Sequence, residues 1–282
     1  MWDARLSEPG SPECTPDWLA LREPADAAGR APELAETVRR RLPDPAAGEG
    51  PLRIRDLGCG TGSMLRWLAP RLPVPQHWVL HDRDPVLLAR AEAMPRPAGI
   101  TVETVCGDLT ALGPADLAGT ALVTASALLD LLDPAEVDTL AGACVDAGCT
   151  ALWTLSVSGL VVMDPPDRLD AEFAAAFDDH QRRTVDGRRL LGPDAAAVAY
   201  ASFAVRGADV QRRPSPWRLG AADAALTEEW MRGWVAAACV QQPELADDAA
   251  DYLARRLASL AAGRLRVVVG HVDVLAVPAG AR

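Results

Sequence analysis

The chain contains no lysine and no asparagine; all 28 of its basic residues are arginine, while alanine, aspartate, proline and glycine abound. So broad a skew reads as a coding bias acting everywhere, and abundant alanine therefore says little about function. Positive charge is also scarce: 28 basic residues face 39 acidic ones, a net charge of −11. No broad basic surface is available to a polyphosphate, and nucleic acid is not an expected partner. Long apolar runs are missing, none approaching the roughly 18 residues of a membrane span, so no membrane partner is expected. The first ten residues carry Asp3, Arg5, Glu8 and Pro9 where a secretory signal needs an apolar stretch. The six cysteines (Cys14, Cys59, Cys106, Cys144, Cys149, Cys239) form no Cys-x-x-Cys pair and no histidine stands at zinc-ligand spacing. No metal site is expected, and reduced thiols in a cytoplasmic protein are the simplest reading.

What is present suffices for one large α/β unit, since 282 residues at 49% hydrophobic content can bury a sizeable core. Pro43, Pro45, Gly48, Gly50 and Pro51 separate a helical N-terminal segment, about 17–42, from the remainder. Residues 1–50 are thus expected to form a helical cap and linker, and 51–282 the main domain. Short apolar runs at 52–57, 77–82, 101–106, 120–126 and 149–155 predict strands, with helices between them at 62–71, 85–94, 109–118 and 134–147. Such alternation signals a parallel sheet wrapped by helices. An irregular insertion is expected over about 160–192. A helix at 193–206, a strand at 208–214, two further helices within a second insertion at 221–263, and a last strand at 264–277 complete the chain.

The strongest local signal is Ile54-Arg55-Asp56-Leu57-Gly58-Cys59-Gly60-Thr61-Gly62-Ser63-Met64-Leu65, which begins as a strand and ends as a helix. Glycine tolerates positive φ and lacks Cβ, so the chain can turn sharply and bring backbone amides at the new helix N-terminus against a ligand. A dinucleotide turn of the GxGxxG type would need its third glycine where Ser63 stands. The run Asp-Leu-Gly-Cys-Gly-Thr-Gly instead resembles the first motif of class I S-adenosylmethionine-dependent methyltransferases. The resemblance implies a Rossmann-like, seven-stranded, mainly parallel sheet with an antiparallel last strand, and S-adenosyl-L-methionine as cofactor, with S-adenosyl-L-homocysteine as product. It assigns Asp56, Gly58, Cys59, Gly60 and Gly62 to the amino acid end of that cofactor.

Two further acids fit the same frame. Asp82 closes the second strand, 20 residues beyond Gly62, where a carboxylate can accept hydrogen bonds from both ribose hydroxyls. Asp84 competes for this role, with helix capping as its alternative. Asp108 follows the third strand, where an acidic residue in the family receives the adenine amino group; an N-cap is again the alternative reading. Arg83 and Leu109, next to these acids, complete the expected cofactor set. Asp56, Asp82 and Asp108 are evenly spaced, 26 residues apart, as successive βα units presenting acids along one sheet edge require.

The chemistry of methyl transfer asks mainly for positioning and exclusion of water, so no catalytic motif need appear. The Asn/Asp-Pro-Pro-Tyr run of many amino-methylating relatives is replaced after strand four by Thr124-Ala125-Ser126-Ala127-Leu128-Leu129-Asp130, and Asp164-Pro165-Pro166-Asp167 reads as a turn. His180, at the end of the apolar stripe Leu169, Phe173, Phe177, is the candidate general base, a structural role at the helix end being the alternative; Asp130 and Tyr200 are weaker candidates. Arg182, Arg183, Arg188 and Arg189 form either an anion clamp or a set of surface pairs. Trp230 and Trp234 read as core packing, with the roof of an aromatic substrate pocket as the alternative, and the segment around Trp18, Leu19 and Leu21 as a lid. The expected acceptor is a small molecule. Action on protein, a non-catalytic cofactor sensor or scaffold, and a nicotinamide-dependent dehydrogenase are the rival readings.

Overall fold

The computed structural model describes residues 14–42, 50–73 and 75–280; the 43–51 linker therefore lies mostly outside the described residues, as does the stretch read against a secretory signal. Two helices, α1 (Pro16–Gly29) and α2 (Pro32–Arg41), precede the first strand. Thr15 caps α1 by accepting from the Trp18 amide, and each helix starts on a proline, whose missing N–H costs nothing there. The βα alternation follows as β1 (Leu52–Leu57), α3 (Ser63–Leu68), β2 (Gln76–Asp82), α4 (Pro85–Ala93), β3 (Ile100–Cys106), β4 (Leu122–Ser126), α5 (Pro134–Asp146) and β5 (Thr150–Asp164). After these come α6 (Asp170–Gln181), a small hairpin of β6 (Thr184–Val185) and β7 (Arg188–Arg189), and α7 (Ala195–Ala204). The chain closes with β8 (Asp209–Pro214), β9 (Trp217–Leu219), α8 (Ala224–Gln241), α9 (Ala246–Ala261) and β10 (Arg266–Val277).

The sheet runs β3-β2-β1-β4-β5-β10-β8, parallel from β3 to β5, with β10 antiparallel between β5 and β8. This is the Rossmann-like order with an antiparallel last strand. The expected seven strands are eight, because the outer lane beside β10 is shared by β8 and β9 in succession. Pro214 and Pro216 fall at the break, where a missing N–H interrupts a ladder.

Three other expectations are corrected. The helix at 109–118 is a single 3-10 turn, Leu109–Ala111, followed by turns. Pro114 disfavours helical geometry at Gly113 and would clash one turn back, and glycine adds its own penalty. Strand five does not stop at 155 but continues to Asp164, paired along its length with β10 through two register shifts. The supposedly irregular 160–192 stretch is accordingly mostly ordered: the end of β5, helix α6 and the hairpin. That hairpin turns on Asp186-Gly187, both at positive φ (51° and 81°), as a two-residue loop of primed type requires.

Apolar side chains gather in three clusters. Ile54, Trp78 and Leu80 meet α2, α3 and α4 on one sheet face, whereas Leu57, Val123 and Trp153 meet α5 and α7 on the other. The third cluster lies beyond the carboxyl ends of the central strands, where Phe173, Trp234, Tyr252 and Val267 join α6, α8 and α9 to β10. Among the described residues no helix is long and apolar enough to cross a membrane.

Candidate cofactor and acceptor site

The parallel register places Leu57 beside His81 and His81 beside Val105, so β1, β2 and β3 end level and their following residues share one sheet edge. At the end of β1 the chain turns through Gly58, Gly60 and Gly62 at φ 60°, 53° and 82°. Side chains rarely adopt this left-handed region, which is what the alternate glycines are for. Space is equally restrictive at Gly58: a Cβ there would come within 2.9 Å of Leu128 Cδ1. At Gly60 it would meet Leu19 Cδ1 of α1 at 3.1 Å. Helix α1 thus lies directly on the glycine turn, where the lid segment was expected.

Each predicted acid has a defined place. Asp82 is buried; its Oδ2 accepts from the Gly60 amide at 2.8 Å and its Oδ1 from the Asp84 amide at 3.0 Å. This bond ties the end of β2 to the glycine turn of β1. Asp84 caps α4, accepting from the Val86 amide at 2.8 Å. Asp108 is exposed and caps the following 3-10 turn through Oδ1, which accepts from the Thr110 amide and hydroxyl. Those two bonds hold its carboxyl below the usual range. Arg83 is exposed and Leu109 half-buried, while Cys59 is buried with its amide donating to the His81 carbonyl at 3.1 Å. Burial pushes the Cys59 thiol up, so it is a packed thiol and not a nucleophile.

Asp56 lies beneath the turn at 1% exposure. The Thr124 hydroxyl donates to its Oδ1 at 2.7 Å, while Oδ2 has no hydrogen-bond partner among the described residues. Burial raises its carboxyl from 3.8 to about 7, against the opposing pull of Thr124 and of the Arg30 charge. A folded pKa above the unfolded one means that this group's contribution to stability is full below about pH 4 and is lost as pH rises through about 7. Urea midpoints should accordingly fall over that interval, and Asp56→Asn should flatten that part of the profile. A variant profile parallel to that of the unmodified chain would remove Asp56 as the cause.

A residue that sequence reasoning missed sits at this centre. Arg30, at 2% exposure, donates from Nη2 to Ser63 Oγ (3.0 Å) and Ser126 Oγ (2.9 Å), and its guanidinium lies 5.5 Å from the Trp67 ring centroid. It joins the helix cap to the first turn of α3 and the end of β4. A second link runs from Glu23 to Arg66 at 2.5 Å, Arg66 also donating to the Thr61 carbonyl at 2.6 Å. No local pattern identifies either residue, because their partners lie across the linker.

The other sequence candidates separate. His180 is buried at the C-terminal end of α6, and its carbonyl accepts from the Arg183 amide and from Arg183 Nη1, both at 3.1 Å. Asp130 follows β4, with Oδ1 buried and without a hydrogen-bond partner among the described residues. Tyr200 is exposed and lies under the Arg212 guanidinium. The arginines do not form one clamp: Arg182 pairs with Asp194 at 2.8 Å and Arg188 with Glu136 at 2.5 Å. Trp234 is fully buried and Trp230 stacks on it with centroids 5.4 Å apart, which makes them core.

Known proteins bear on residues 54–147, which match the family model described as a methyltransferase domain. The non-reducing polyketide synthase pkiA of Emericella nidulans is 40% identical over 81 residues, covering 26% of this chain and 3% of that protein. The chain therefore corresponds to a small part of the curated relative it matches. The cyclopropane synthase MmaA2 from Mycobacterium tuberculosis has a similar structure, with a TM-score of 0.52 at 12% identity, over 95% of this chain and 96% of that one. The mycolic acid cyclopropane synthase CmaA1, complexed with SAH and CTAB, gives 0.51 at 12% identity over 98% and 99% of the two chains. At such low identity these structures speak to the fold alone.

Proposed function

We infer, for a chain whose residues 54–147 match a methyltransferase domain and whose sheet has the Rossmann-like order, that it is a class I enzyme transferring the methyl group of S-adenosylmethionine to a small-molecule acceptor. The observation that carries this reading is the glycine turn itself, a backbone cradle at positive φ whose middle amide is already held by the second-strand carboxylate. That donor and acceptor set fits the cofactor. Amides of the turn suit its amino acid end, and Asp82 suits a ribose diol. Asp108, exposed at the next strand end, suits an exocyclic amine. Cys59, Arg83 and Leu109 flank these groups.

Bound there, S-adenosylmethionine would supply a methyl carbon activated by a sulfonium, open to in-line displacement. The task of the chain is then to bind, to orient the acceptor and to exclude water. Helix α1, packed on Gly60 and latched through Glu23 and Arg66, serves the last of these. A small acceptor accords with the net charge of −11, which offers no broad basic surface. Labelled cofactor incubated with small-molecule fractions and, separately, with whole-cell protein tests this: transfer to protein alone would refute the small-molecule reading.

Calorimetry with S-adenosylmethionine and S-adenosylhomocysteine is the direct test of the cofactor. Asp82→Ala should weaken binding by about 1 to 3 kcal/mol, the worth of hydrogen bonds to a charged group. Asp84→Ala, which removes only a helix cap, should cost about 1 kcal/mol of stability and leave affinity almost unchanged. The reverse pattern would move the ribose contact to Asp84.

A further inference from the structure

The junction between α1 and α2 holds one arginine with unspent donors. Its backbone is fixed on both sides: a Cβ on Gly29 would stand 2.9 Å from the Ser215 carbonyl oxygen, and the Ala31 amide donates to Asp273 Oδ2 at 2.8 Å. Between them Arg30 reaches over the Trp67 ring, and its Nη2 donates to Ser63 Oγ at 3.0 Å and Ser126 Oγ at 2.9 Å. Trp67 is held in turn, its indole N–H donating to the Ala27 carbonyl of α1 at 3.1 Å. Backbone, ring and fork are set before a ligand arrives, which removes the rotamer entropy an arginine otherwise loses on binding. Yet Nε and Nη1 are buried without a hydrogen-bond partner among the described residues, and both partners of Nη2 are neutral hydroxyls. A guanidinium keeps its charge even when buried, so its desolvation calls for an anion.

The complementary group lies beside it. Asp56 and Thr124 are direct partners in the β1–β4 register, and the Thr124 hydroxyl donates to Asp56 Oδ1. Ser126, which holds Arg30, follows Thr124 by two residues and so shares its face of β4, about 7 Å farther along the strand. Asp56 precedes the glycine turn and Ser63 follows it, so carboxylate and guanidinium flank the turn. Asp56 Oδ2 mirrors the state of Arg30: a buried acceptor with no donor among the described residues. A group carrying a carboxylate and an ammonium on one carbon spans such a separation with a hydrogen bond of about 2.9 Å at each end. An α-amino acid head group has that form; a phosphate would answer Arg30 alone and set a like charge against Asp56.

We propose that Arg30 binds the carboxylate of the cofactor's amino acid end, opposite Asp56, which takes its ammonium, and that the pair makes the site selective for a cofactor whose α-amino acid is intact. This rests on the cofactor reading above and adds to it a residue from outside the matched region 54–147. Ser63 and Ser126 are positioning residues for Arg30. Because Arg30 belongs to the helical cap, the contact also ties α1 to the bound cofactor.

Calorimetry on the full chain compares S-adenosylhomocysteine with its decarboxylated analogue, its deaminated analogue and methylthioadenosine, which lacks both charges. The unmodified chain should bind S-adenosylhomocysteine at least about tenfold more tightly than the decarboxylated analogue, as a charge-assisted contact implies. Arg30→Gln should erase that advantage while leaving methylthioadenosine within about twofold of its original affinity; Arg30→Lys, which keeps the charge but not the fork, should retain part of it. Asp56→Asn should instead shrink the advantage over the deaminated analogue. Equal binding of S-adenosylhomocysteine and the decarboxylated analogue by the unmodified chain overturns the proposal, and so does an advantage that survives Arg30→Gln. Should Arg30→Gln lose methylthioadenosine as well, the cap has been displaced, and Ser126→Ala decides. That variant keeps the charge and removes one of the two acceptors that aim Nη2, so an undiminished advantage overturns the proposal. A chain that binds none of the four ligands would overturn the cofactor reading itself.

Discussion

Asp273→Ala is expected to lower the stability of the fold by about 2 to 4 kcal/mol, the penalty of leaving two buried amides without acceptors, and to release α1 and α2 from the sheet. Asp273 lies in β10 with no exposure, its Oδ2 accepting from the Ala31 amide and its Oδ1 from the Leu155 amide, both at 2.8 Å. The first bond fixes the junction between α1 and α2. The second fixes Leu155 of β5 at φ 57°, a conformation a leucine adopts only when its surroundings impose it. Asparagine keeps one acceptor oxygen, so Asp273→Asn should recover about half the loss. Urea denaturation measures the total, and amide exchange locates it. Protection in α1 and α2 equal to that of the unmodified chain would show that other contacts hold the cap.

Gly58→Val is expected to reduce affinity for S-adenosylhomocysteine at least about a hundredfold, or about 2.7 kcal/mol. Two costs combine at this position. A left-handed conformation costs an L-residue about 1 to 2 kcal/mol, and β-branching raises the penalty. The added Cβ would also stand 2.9 Å from Leu128 Cδ1, forcing the turn or the segment after β4 to shift. Either shift moves the amides that are to meet the ligand. Gly60→Ala offers a graded comparison, since its obstacle at 3.1 Å is the far end of the flexible Leu19 side chain. Calorimetry on both variants decides; a Gly58→Val protein that folds and binds normally would refute the role given to the turn.

The parts legible in the sequence were those in which function is written locally. The turn from Asp56 to Gly62 shows itself because positive φ needs glycine at fixed positions. Parallel strands reveal themselves as separate apolar runs, and equal βα lengths put Asp56, Asp82 and Asp108 at neighbouring strand ends. Where reading failed, a local signal had been underweighted. Pro114 argued against a helix over 109–118, and Asp186-Gly187 between short extended segments marked a hairpin inside the stretch taken as irregular.

Other features had no local signal to read. Arg30, Glu23 and Arg22 look like ordinary charges on an N-terminal helix, and their meaning comes from Ser63, Ser126, Arg66 and Trp217, far along the chain. Asp130 resembles any acid in a loop until burial strips its Oδ1 of partners. The sequence alone determined the fold class and the glycine turn proposed to hold the cofactor, since both depend on backbone conformation and short-range periodicity. Tertiary structure alone decided which charges are buried and which cap which helix. Burial and ion pairing depend on what the rest of the chain brings alongside, and no spacing in the sequence encodes that.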